Sequence, residues 1–481
     1  MSKIKSLVLG SAAAIVAIGG AQAADLPVKA KAVEYVKVCS LYGAGFYYIP
    51  GTDTCIRIGG YLRAEVNFGG APSDATYITG DGGLGYRTAG EYQSRARIMM
   101  NIDTRTATEY GVVRTFGAFG PQFTTGSVAT QAAPDTQANG GMRVEAAFVQ
   151  FAGFTFGRSA SAYALPWNGA PGNLNSTLMG GPNYDAGVNN IQYTWQFGNG
   201  VSASVGIDQQ EQANRVGVMN VNVSNANIFG VYTNAYAAPT APDVVGNIRL
   251  DQAWGLLQFS AAAHQVTGDY FGGTALSGHP DDKWGFAVTG ALQIKNLPTG
   301  PGDDIKITGT YTDGALRYVL GQSGATPTNF QVLDGGFTFA GVPIADGVYG
   351  AAGSSIQLTR AYGLNGAFNH NWNANWSSSV FGSYSKVDYN GTATAAICAG
   401  AYGTRTVAGV CNPDFKVSQV GVSTTWKPVK NLALIAEGTW VHIDQSNTGA
   451  ATLTGGLSAG RVVTLGDTDS FSGIFRVQRN F

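Results

Sequence analysis

Arginine and carboxylate side chains recur with a two-residue spacing in two segments near the start of the chain. At odd positions the two segments carry Arg57, Arg63, Glu65, Arg95, Arg97, Asp103 and Arg105. Residues spaced by two lie on one face of a β-strand, so each set projects in one direction. Five guanidinium groups against two carboxylates leave an excess of positive charge. Fixed charge of this kind attracts and orients small ions, which is the chemistry of selectivity and not of covalent catalysis.

A serine and a histidine later in the chain raise the possibility of a hydrolase. Ser260 and His264 share one parity of an alternating segment. A nucleophile also needs a base within reach and a third group that orients the base. No carboxylate alternates with these two residues nearby, so we interpret them as polar residues of a strand face. The sequence therefore predicts no catalytic residue, no metal site and no cofactor.

The four cysteines form two close pairs, Cys39 with Cys55 and Cys398 with Cys411. Neither pair has the CxxC spacing of a metal site, and none of the four histidines lies near a pair. In an exported protein, an even number of cysteines in local pairs predicts disulfide bonds.

The N-terminus has the pattern of an export signal. Lys3 and Lys5 precede an apolar run over residues 7–18, and Ala-Gln-Ala at 21–23 matches the small-x-small sequence that a signal peptidase accepts. We predict cleavage after residue 23. A retained anchor helix is disfavoured because the apolar run is short for a bilayer. Residues 24–53 are predicted to form an N-terminal periplasmic segment.

The composition excludes an ordinary soluble enzyme. Of the 481 residues 12% are charged and 68 are glycine, whereas about a quarter of the residues of a typical soluble domain are charged. The 23 Phe and 22 Tyr residues disfavour disorder. Beyond the N-terminus, no segment has the ~18 consecutive apolar residues that a membrane-spanning helix requires.

Alternating apolar and polar residues predict sixteen strands between residues 54 and 481. The predicted strands cover 54–69, 90–104, 109–119, 142–152, 154–158, 188–198, 201–209, 246–254, 256–267, 283–295, 304–313, 355–369, 374–388, 414–427, 432–443 and 469–481. The connections between them alternate short and long. One connection, Asn199-Gly200, is a strong signal for a hairpin.

An even number of strands, with short turns at one rim and long loops at the other, predicts an all-β fold: a 16-stranded antiparallel transmembrane β-barrel. A soluble sandwich or propeller is the alternative, but its surface would be richly charged. Here one strand face carries Asn, Gln, Ser and Thr, which suits a hydrated lumen, and the other carries aromatic residues, which suits lipid. The closing strand ends on Phe481, a terminal aromatic that resembles the assembly signal of outer-membrane barrels.

Three segments resemble the alphaproteobacterial porins. Residues 39–61, CSLYGAGFYYIPGTDTCIRIGGY, are similar to the N-terminal hallmark of that family, and residues 476–481, RVQRNF, are similar to its C-terminus. Residues 154–158, FTFGR, are similar to the segment that leads into the third loop. The resemblance implies a homotrimer of barrels in the outer membrane that passes small hydrophilic solutes and ions, with loop three folded inward as a constriction.

Strand alternation within this barrel places the charged residues above on the wall of its lumen. The third-loop segment, 159–187, contributes one acid, Asp185, to the predicted pore lining. The predicted partners are further copies of the chain, outer-membrane lipid and solutes, and nucleic acid is not among them. Two other functions stay open at this point: an outer-membrane hydrolase, and a structural or adhesive surface protein whose long loops are its functional part.

Overall fold

The structure is a computed structural model that describes residues 37–69, 92–125, 138–174, 178–184, 186–210, 215–321, 328–334, 337–403, 406, 408–453 and 460–481. The predicted export signal over residues 1–23 lies outside this part of the chain. So does Asp185.

Sixteen antiparallel strands within the described residues close into a barrel. Strands β1 to β16 are Cys55–Phe68, Tyr92–Thr108, Gly111–Thr124, Ala138–Phe151, Phe154–Ser159, Val188–Gly198, Val201–Asp208, Asp243–Gln252, Gly255–Val266, Lys283–Lys295, Asp304–Asp313, Arg360–Asn371, Trp376–Asp388, Phe415–Trp426, Leu432–Gln445 and Thr468–Asn480. Each strand pairs with the next, and β16 pairs with β1. The predicted fold class and the number of strands are confirmed.

The connections alternate in length as predicted. Short turns occupy residues 109–110, 152–153, 199–200, 253–254, 296–303, 372–375 and 427–431 at one rim. At the other rim the loops L1 to L8 span 69–91, 125–137, 160–187, 209–242, 267–282, 314–359, 389–414 and 446–467. In the turn between β6 and β7, Asn199 and Gly200 both have positive φ, at 50° and 74°. That backbone is the primed hairpin turn that matches the twist of the flanking strands.

Strand β2 shows how alternation divides the wall into two faces. Arg95, Arg97 and Met99 are buried on the inner side, whereas Ala96 and Ile98 between them are exposed on the outer side. The outer face carries apolar and aromatic side chains, which lipid solvates. The inner face carries charge, which needs partners or water. Among the described residues, no helix combines the length and the apolarity that crossing a bilayer demands.

The end of the N-terminal segment folds against the short-turn rim. A disulfide joins Cys39 to Cys55 at the start of β1, which confirms the predicted pair. The two-residue strand Tyr47–Tyr48 pairs with β1, and a 3₁₀ turn covers Ser40–Tyr42. The buried ring of Phe46 lies 5.0 Å from the guanidinium groups of both Arg57 and Arg105. This segment is therefore packed onto the inner wall.

Loops L4, L6, L7 and L8 form an apolar core at the long-loop end of the barrel. Their strands build a four-stranded sheet of Asn329–Asp334, Thr338–Pro343, Val462–Leu465 and Gly449–Thr452, and a three-stranded sheet of Gln357–Leu358, Ala345–Tyr349 and Gly217–Asn220. Short helical segments cover Ala275–Ser277, Arg317–Leu320, Gly391–Ala399 and Ala401–Gly403. The core includes Met219, Phe330 and Val342, all with no exposed surface.

This loop core corrects the expectation that the inner face is polar throughout. Toward the loop end of β12 to β15, the inward side chains Ala361, Val387, Val417 and Val441 are apolar and fully buried. They belong to the same cluster as the loop residues. The inner wall is apolar there because protein covers it in place of water.

Loop L7 is held by a cap and a disulfide. The side chain of Asn390 accepts a hydrogen bond of 3.0 Å from the Ala393 amide, which caps the helix Gly391–Ala399. A disulfide joins Cys398 at the end of that helix to Cys411. The second predicted pair is thereby confirmed.

Candidate functional site

Loop L3 folds into the barrel and crosses to the far wall, as predicted. It leaves β5 at residue 160 and is held there by side chains of distant strands. Gln258 of β9 donates to the Ala164 carbonyl at 2.9 Å, and Lys306 of β11 donates to the Pro171 carbonyl at 2.9 Å. Farther along L3, the Met179 amide donates to Gln419 of β14 at 2.7 Å.

The described part of L3 is fixed by buried contacts as well. The Tyr163 side chain is fully buried, and its hydroxyl lies 2.7 Å from the Thr289 hydroxyl of β10. Its ring packs edge-on against Tyr318 of L6, with the centroids 4.5 Å apart. Because strand side chains anchor L3 along β9 to β14, the loop covers that side of the inner wall.

The other side of the inner wall, from β16 through β1 to β4, carries a group of arginines that we call the mid-wall cluster. Its members among the described residues are Arg63, Arg95, Arg97, Arg143 and Arg476, with Glu65 and Glu145. Glu65 pairs with Arg95 and, at 2.7 Å, with Arg476. Strand register explains this triad, because Glu65 lies opposite Arg95 on β2 and opposite Arg476 on β16.

The remaining mid-wall arginines differ in their partners. Arg97 and Arg143 lie 3.1 Å and 3.2 Å from Glu145 of β4. Arg63 instead donates to the neutral amide of Gln478 at 2.9 Å and lies over the ring of Tyr61. Within the described part of the chain, Arg63 has no carboxylate within ion-pair distance. The cluster thus has five guanidinium groups and two carboxylates.

A second group, which we call the rim cluster, lies near the short-turn end of β1 to β3. The carboxylate of Asp103 is buried. It forms ion pairs with Arg57 at 3.6 Å and with both Arg105 and Arg114 at 3.0 Å. The predicted set therefore divides: Arg63, Glu65, Arg95 and Arg97 belong to the mid-wall cluster, and Arg57, Asp103 and Arg105 to the rim cluster.

Sequence reasoning missed Arg476 and did not assign Arg114 to a face. Arg476 lies at an even position, whereas the terminal aromatic row lies at odd positions. That difference was the sequence signal that could have placed Arg476 on the inner face. For Arg114 the signal was weak, because its strand has register shifts and alternates poorly. Its contact with Asp103 puts it on the inner face.

His264 has the acidic partner that the sequence analysis did not find. Its Nδ1 lies 2.7 Å from the Asp243 carboxylate of β8, and its Nε2 lies 2.8 Å from the Tyr236 hydroxyl of L4. Alternation along one strand could not reveal Asp243, which comes from the neighbouring strand. Ser260 bonds to Gln258, and among the described residues no hydrogen bond joins it to His264. These contacts attach L4 to the inner wall. Among the described residues they do not include the nucleophile–base contact of a hydrolase.

Comparisons with known proteins agree with this architecture. The family model described as the porin subfamily matches residues 25–474. Porin Omp2b of Brucella canis is 34% identical over 255 residues, which are 52% of this chain and 63% of that protein. Porin Omp2b of Brucella abortus strain 2308 is 33% identical over 255 residues, again 52% of this chain and 63% of that protein. The alignments therefore span less than two thirds of these relatives.

The outer membrane channel DcaP of Acinetobacter baumannii has a related fold. Its structure superimposes with a TM-score of 0.57 at 16% identity, over 90% of this chain and 99% of that one. The closed 16-stranded barrel and the family match place this protein in the outer membrane. On the match over residues 25–474, the chain belongs to the porin subfamily.

Proposed function

We propose that the protein is a water-filled channel through which small hydrophilic solutes and ions diffuse passively across the outer membrane. The observation that carries this proposal is the placement of L3 along one side of the lumen, facing a wall of five arginines. A barrel of about 16 strands is wide enough to leave an aqueous passage. Diffusion down a gradient needs no chemical step, so we propose no enzymatic activity.

In this proposal the narrowest part of the passage lies between L3 and the mid-wall cluster. The wall there is built around Arg63, Glu65, Arg95 and Arg97, with Asp185 on the loop, while the wall of the periplasmic mouth is built around Arg57, Asp103 and Arg105. Ion pairs hold Arg95 and Arg97 in fixed positions, so the charged groups are already oriented when a solute arrives. Arg63, which bonds to the neutral amide of Gln478, favours anions over cations.

We further propose that three copies assemble in the lipid bilayer. Ala64, Ser94 and Ala96 are small residues on the outer face of β1 and β2, beside Phe123 and Phe475. They leave an apolar depression of about 370 Å³. Small residues allow a close approach of a second barrel, and the depression offers apolar area to bury.

We also infer that residues 1–23 are removed on export and that residues 24–53 lie in the periplasm ahead of the barrel. The disulfide at Cys39 supports export, because disulfides persist in oxidising compartments. N-terminal sequencing of the protein from outer membranes tests the cleavage site, with Ala24 expected as the first residue.

Conductance of the purified protein in planar bilayers tests the channel. Large ohmic steps support the proposal. Absence of steps together with ester hydrolysis would instead indicate a barrel hydrolase, and absence of both would indicate a structural or adhesive protein. A sample with inactivated protein from the same preparation controls for contaminating channels.

A further inference from the structure

The rim cluster is distinct from the mid-wall cluster in its place and in its surroundings. Three guanidinium groups, from Arg57, Arg105 and Arg114, surround the single carboxylate of Asp103. The side chain of Asp103 is 2% exposed, whereas those of the arginines are 47%, 27% and 27% exposed. The acid is therefore enclosed, and the positive groups face the solvent.

Arg57 and Arg105 keep N–H donors that no described residue accepts from. Arg105 directs Nε and one terminal nitrogen to Asp103, which leaves its other terminal nitrogen without a recorded partner. Arg57 has an ion contact of 3.6 Å with Asp103 but no side-chain hydrogen bond among the described residues. Guanidinium groups with free N–H donors are suited to bind a second oxyanion, often through two parallel hydrogen bonds.

Aromatic rings hold the arginines in place. Tyr42 and Phe46 of the N-terminal segment lie 5.6 Å and 5.0 Å from the guanidinium of Arg105. Arg114 lies over the ring of Phe116 on its own strand, at 5.2 Å. Rings stacked on guanidinium faces leave the N–H edges free and restrict the side chains to one orientation.

A cavity opens beside these arginines. It has a volume of about 490 Å³, and its polar lining consists of Arg105, Arg114, Gln150, Thr155, Thr194 and Gln196. Tyr42 of the N-terminal segment also lines it, and the rest of the lining is apolar. Amide and hydroxyl groups along one side can bond to hydroxyl or further oxygen atoms of a solute. The Cys39–Cys55 disulfide fixes the segment that supplies Tyr42.

We propose that this cavity is a second binding site, at the periplasmic mouth, for compact polyvalent oxyanions that carry carboxylate or phosphoryl groups. The positive charge comes from Arg105 and Arg114, which line the cavity, and from Arg57, which contacts the same acid beside it, while the amide and hydroxyl side chains supply hydrogen-bond partners. A monovalent halide ion would be attracted only by the positive charge of the arginines. The assignment of this rim to the periplasm and the sidedness of the site rest on the proposed channel.

Binding can be measured without conduction. Equilibrium dialysis of the detergent-solubilised protein against radiolabelled citrate, and separately against radiolabelled pyrophosphate, is expected to show one saturable site at constant ionic strength set with chloride. The double variant Arg57→Gln, Arg105→Gln should bind at least tenfold more weakly. Binding of citrate alone identifies carboxylates as the ligand class, and binding of pyrophosphate alone identifies phosphoryl groups.

Two further variants keep this test falsifiable. The single variant Arg57→Gln removes a half-exposed side chain with no recorded hydrogen bond, so its folding should be unaffected if the double variant fails to assemble. Lys386→Gln removes one positive charge from the outer face of β13 and should bind like the wild type. Absence of a saturable site in the wild type, or equal binding by the rim variants, overturns the proposal.

Sidedness gives an independent readout. In single-channel recordings, citrate or pyrophosphate added on the periplasmic side should block the current, and the same anion on the other side should block it much less. Equal block from both sides that persists in Arg57→Gln contradicts the rim site. A wild type that binds the anion but never conducts contradicts the channel and leaves the binding site standing.

Discussion

Arg63 is the mid-wall arginine that, among the described residues, pairs with no carboxylate. The other described members of the cluster share Glu65 or Glu145, whereas Arg63 bonds to the amide of Gln478 and lies over Tyr61. A nearby carboxylate offsets much of the field of an arginine at the distance of a passing ion. We therefore expect Arg63 to contribute more to ion selectivity per residue than its neighbours.

Replacing Arg63 by Gln should move the zero-current potential of the channel in a salt gradient toward cation preference. One charge about 8 Å from an ion in water is worth about 0.5 kcal/mol, which corresponds to about a twofold change in the local anion concentration. Lys386→Gln is the matched control, because it removes the same charge from the outer face. Equal shifts in the two variants would show that Arg63 lies outside the conduction path.

The terminal residue offers a second test at this scale. The backbone of Phe481 exchanges two hydrogen bonds with Gly60 of β1, at 3.0 Å and 3.1 Å, while its ring is 60% exposed. Phe481→Ala keeps the backbone bonds and removes the ring, whereas deletion removes both. If the ring is the assembly signal, both variants should accumulate poorly in the outer membrane. Normal levels of Phe481→Ala would assign any defect of the deletion to the lost hydrogen bonds.

At the scale of single residues, the sequence predicts the face of a side chain better than its partner. Two-residue alternation was sufficient to place Arg63, Arg95 and Arg97 on the inner face. The partners of Glu65 and His264 were not predictable in this way, because they depend on register between strands. For Glu65 and Arg476 that register is set only when the last strand meets the first.

At the scale of elements, loops L4 and L6 are attached to the inner wall through a buried polar network around His264. Asp243 lies between His264 and the Tyr318 hydroxyl of L6, with both contacts at 2.7 Å. Asp346 of L6 accepts from the Leu316 and Val216 amides, at 2.7 Å and 3.0 Å, so it joins L6 to L4. Both carboxylates have no exposed surface.

Asp243→Ala should detach these loops without opening the barrel. Removing one partner of a buried charged pair costs about 3 to 5 kcal/mol, because the other group is left buried without its partner. Limited proteolysis with chymotrypsin, read by mass spectrometry, should show faster cleavage within 209–242 and 314–359. Asp251→Ala on the same strand removes only an exposed pair with Lys295 and should be cleaved like the wild type. Indistinguishable digestion of the two variants would contradict the role of the network.

The two disulfides should differ in their accessibility to reductant. Cys39 and Cys55 are each 1% exposed, whereas Cys398 and Cys411 are partly exposed in L7. Brief treatment of the folded protein with dithiothreitol, followed by alkylation and peptide mapping, should label Cys398 and Cys411 first. Each bond closes a loop of similar length, so each stabilises the folded chain by about 3 kcal/mol in the entropic account. Earlier labelling of Cys39 would mean that the N-terminal segment opens in solution.

The barrel strands were more predictable than the loops for a physical reason. A strand between lipid and lumen repeats a simple apolar–polar alternation, so even the weakly patterned segments 142–158 and 246–267 were recognised. The loop core has no such period. Residues such as Val216, Phe330 and Tyr402 come together from the separate loops L4, L6 and L7, and their contacts depend on the closed barrel that surrounds them.

At the scale of the whole molecule, the proposed trimer predicts resistance to denaturation. Contact through the depression at Ala64 and Ala96 would bury apolar surface that otherwise faces lipid. The protein should run as a trimer on a detergent gel before heating and as a monomer afterwards. Ala96→Arg, which places a long charged side chain in the depression, should run as a monomer without heating, with Thr106→Arg on the same outer face near the turn of that strand as the control. Identical migration of the wild type before and after heating would contradict the trimer.

The arginines of the inner wall and the loops that form the apolar core come from different parts of the sequence. The arginines come from β1 to β4 and from β16, which are the two ends of the barrel sequence, while the core-forming loops L4 and L6 to L8 lie between these strands in the sequence. Substitutions on the exposed surfaces of these loops can therefore accumulate without altering the residues of the charged wall. A hybrid that exchanges the whole segment would also replace Gln258, Lys306 and Gln419, which hold L3, so its exterior and the position of L3 would change together.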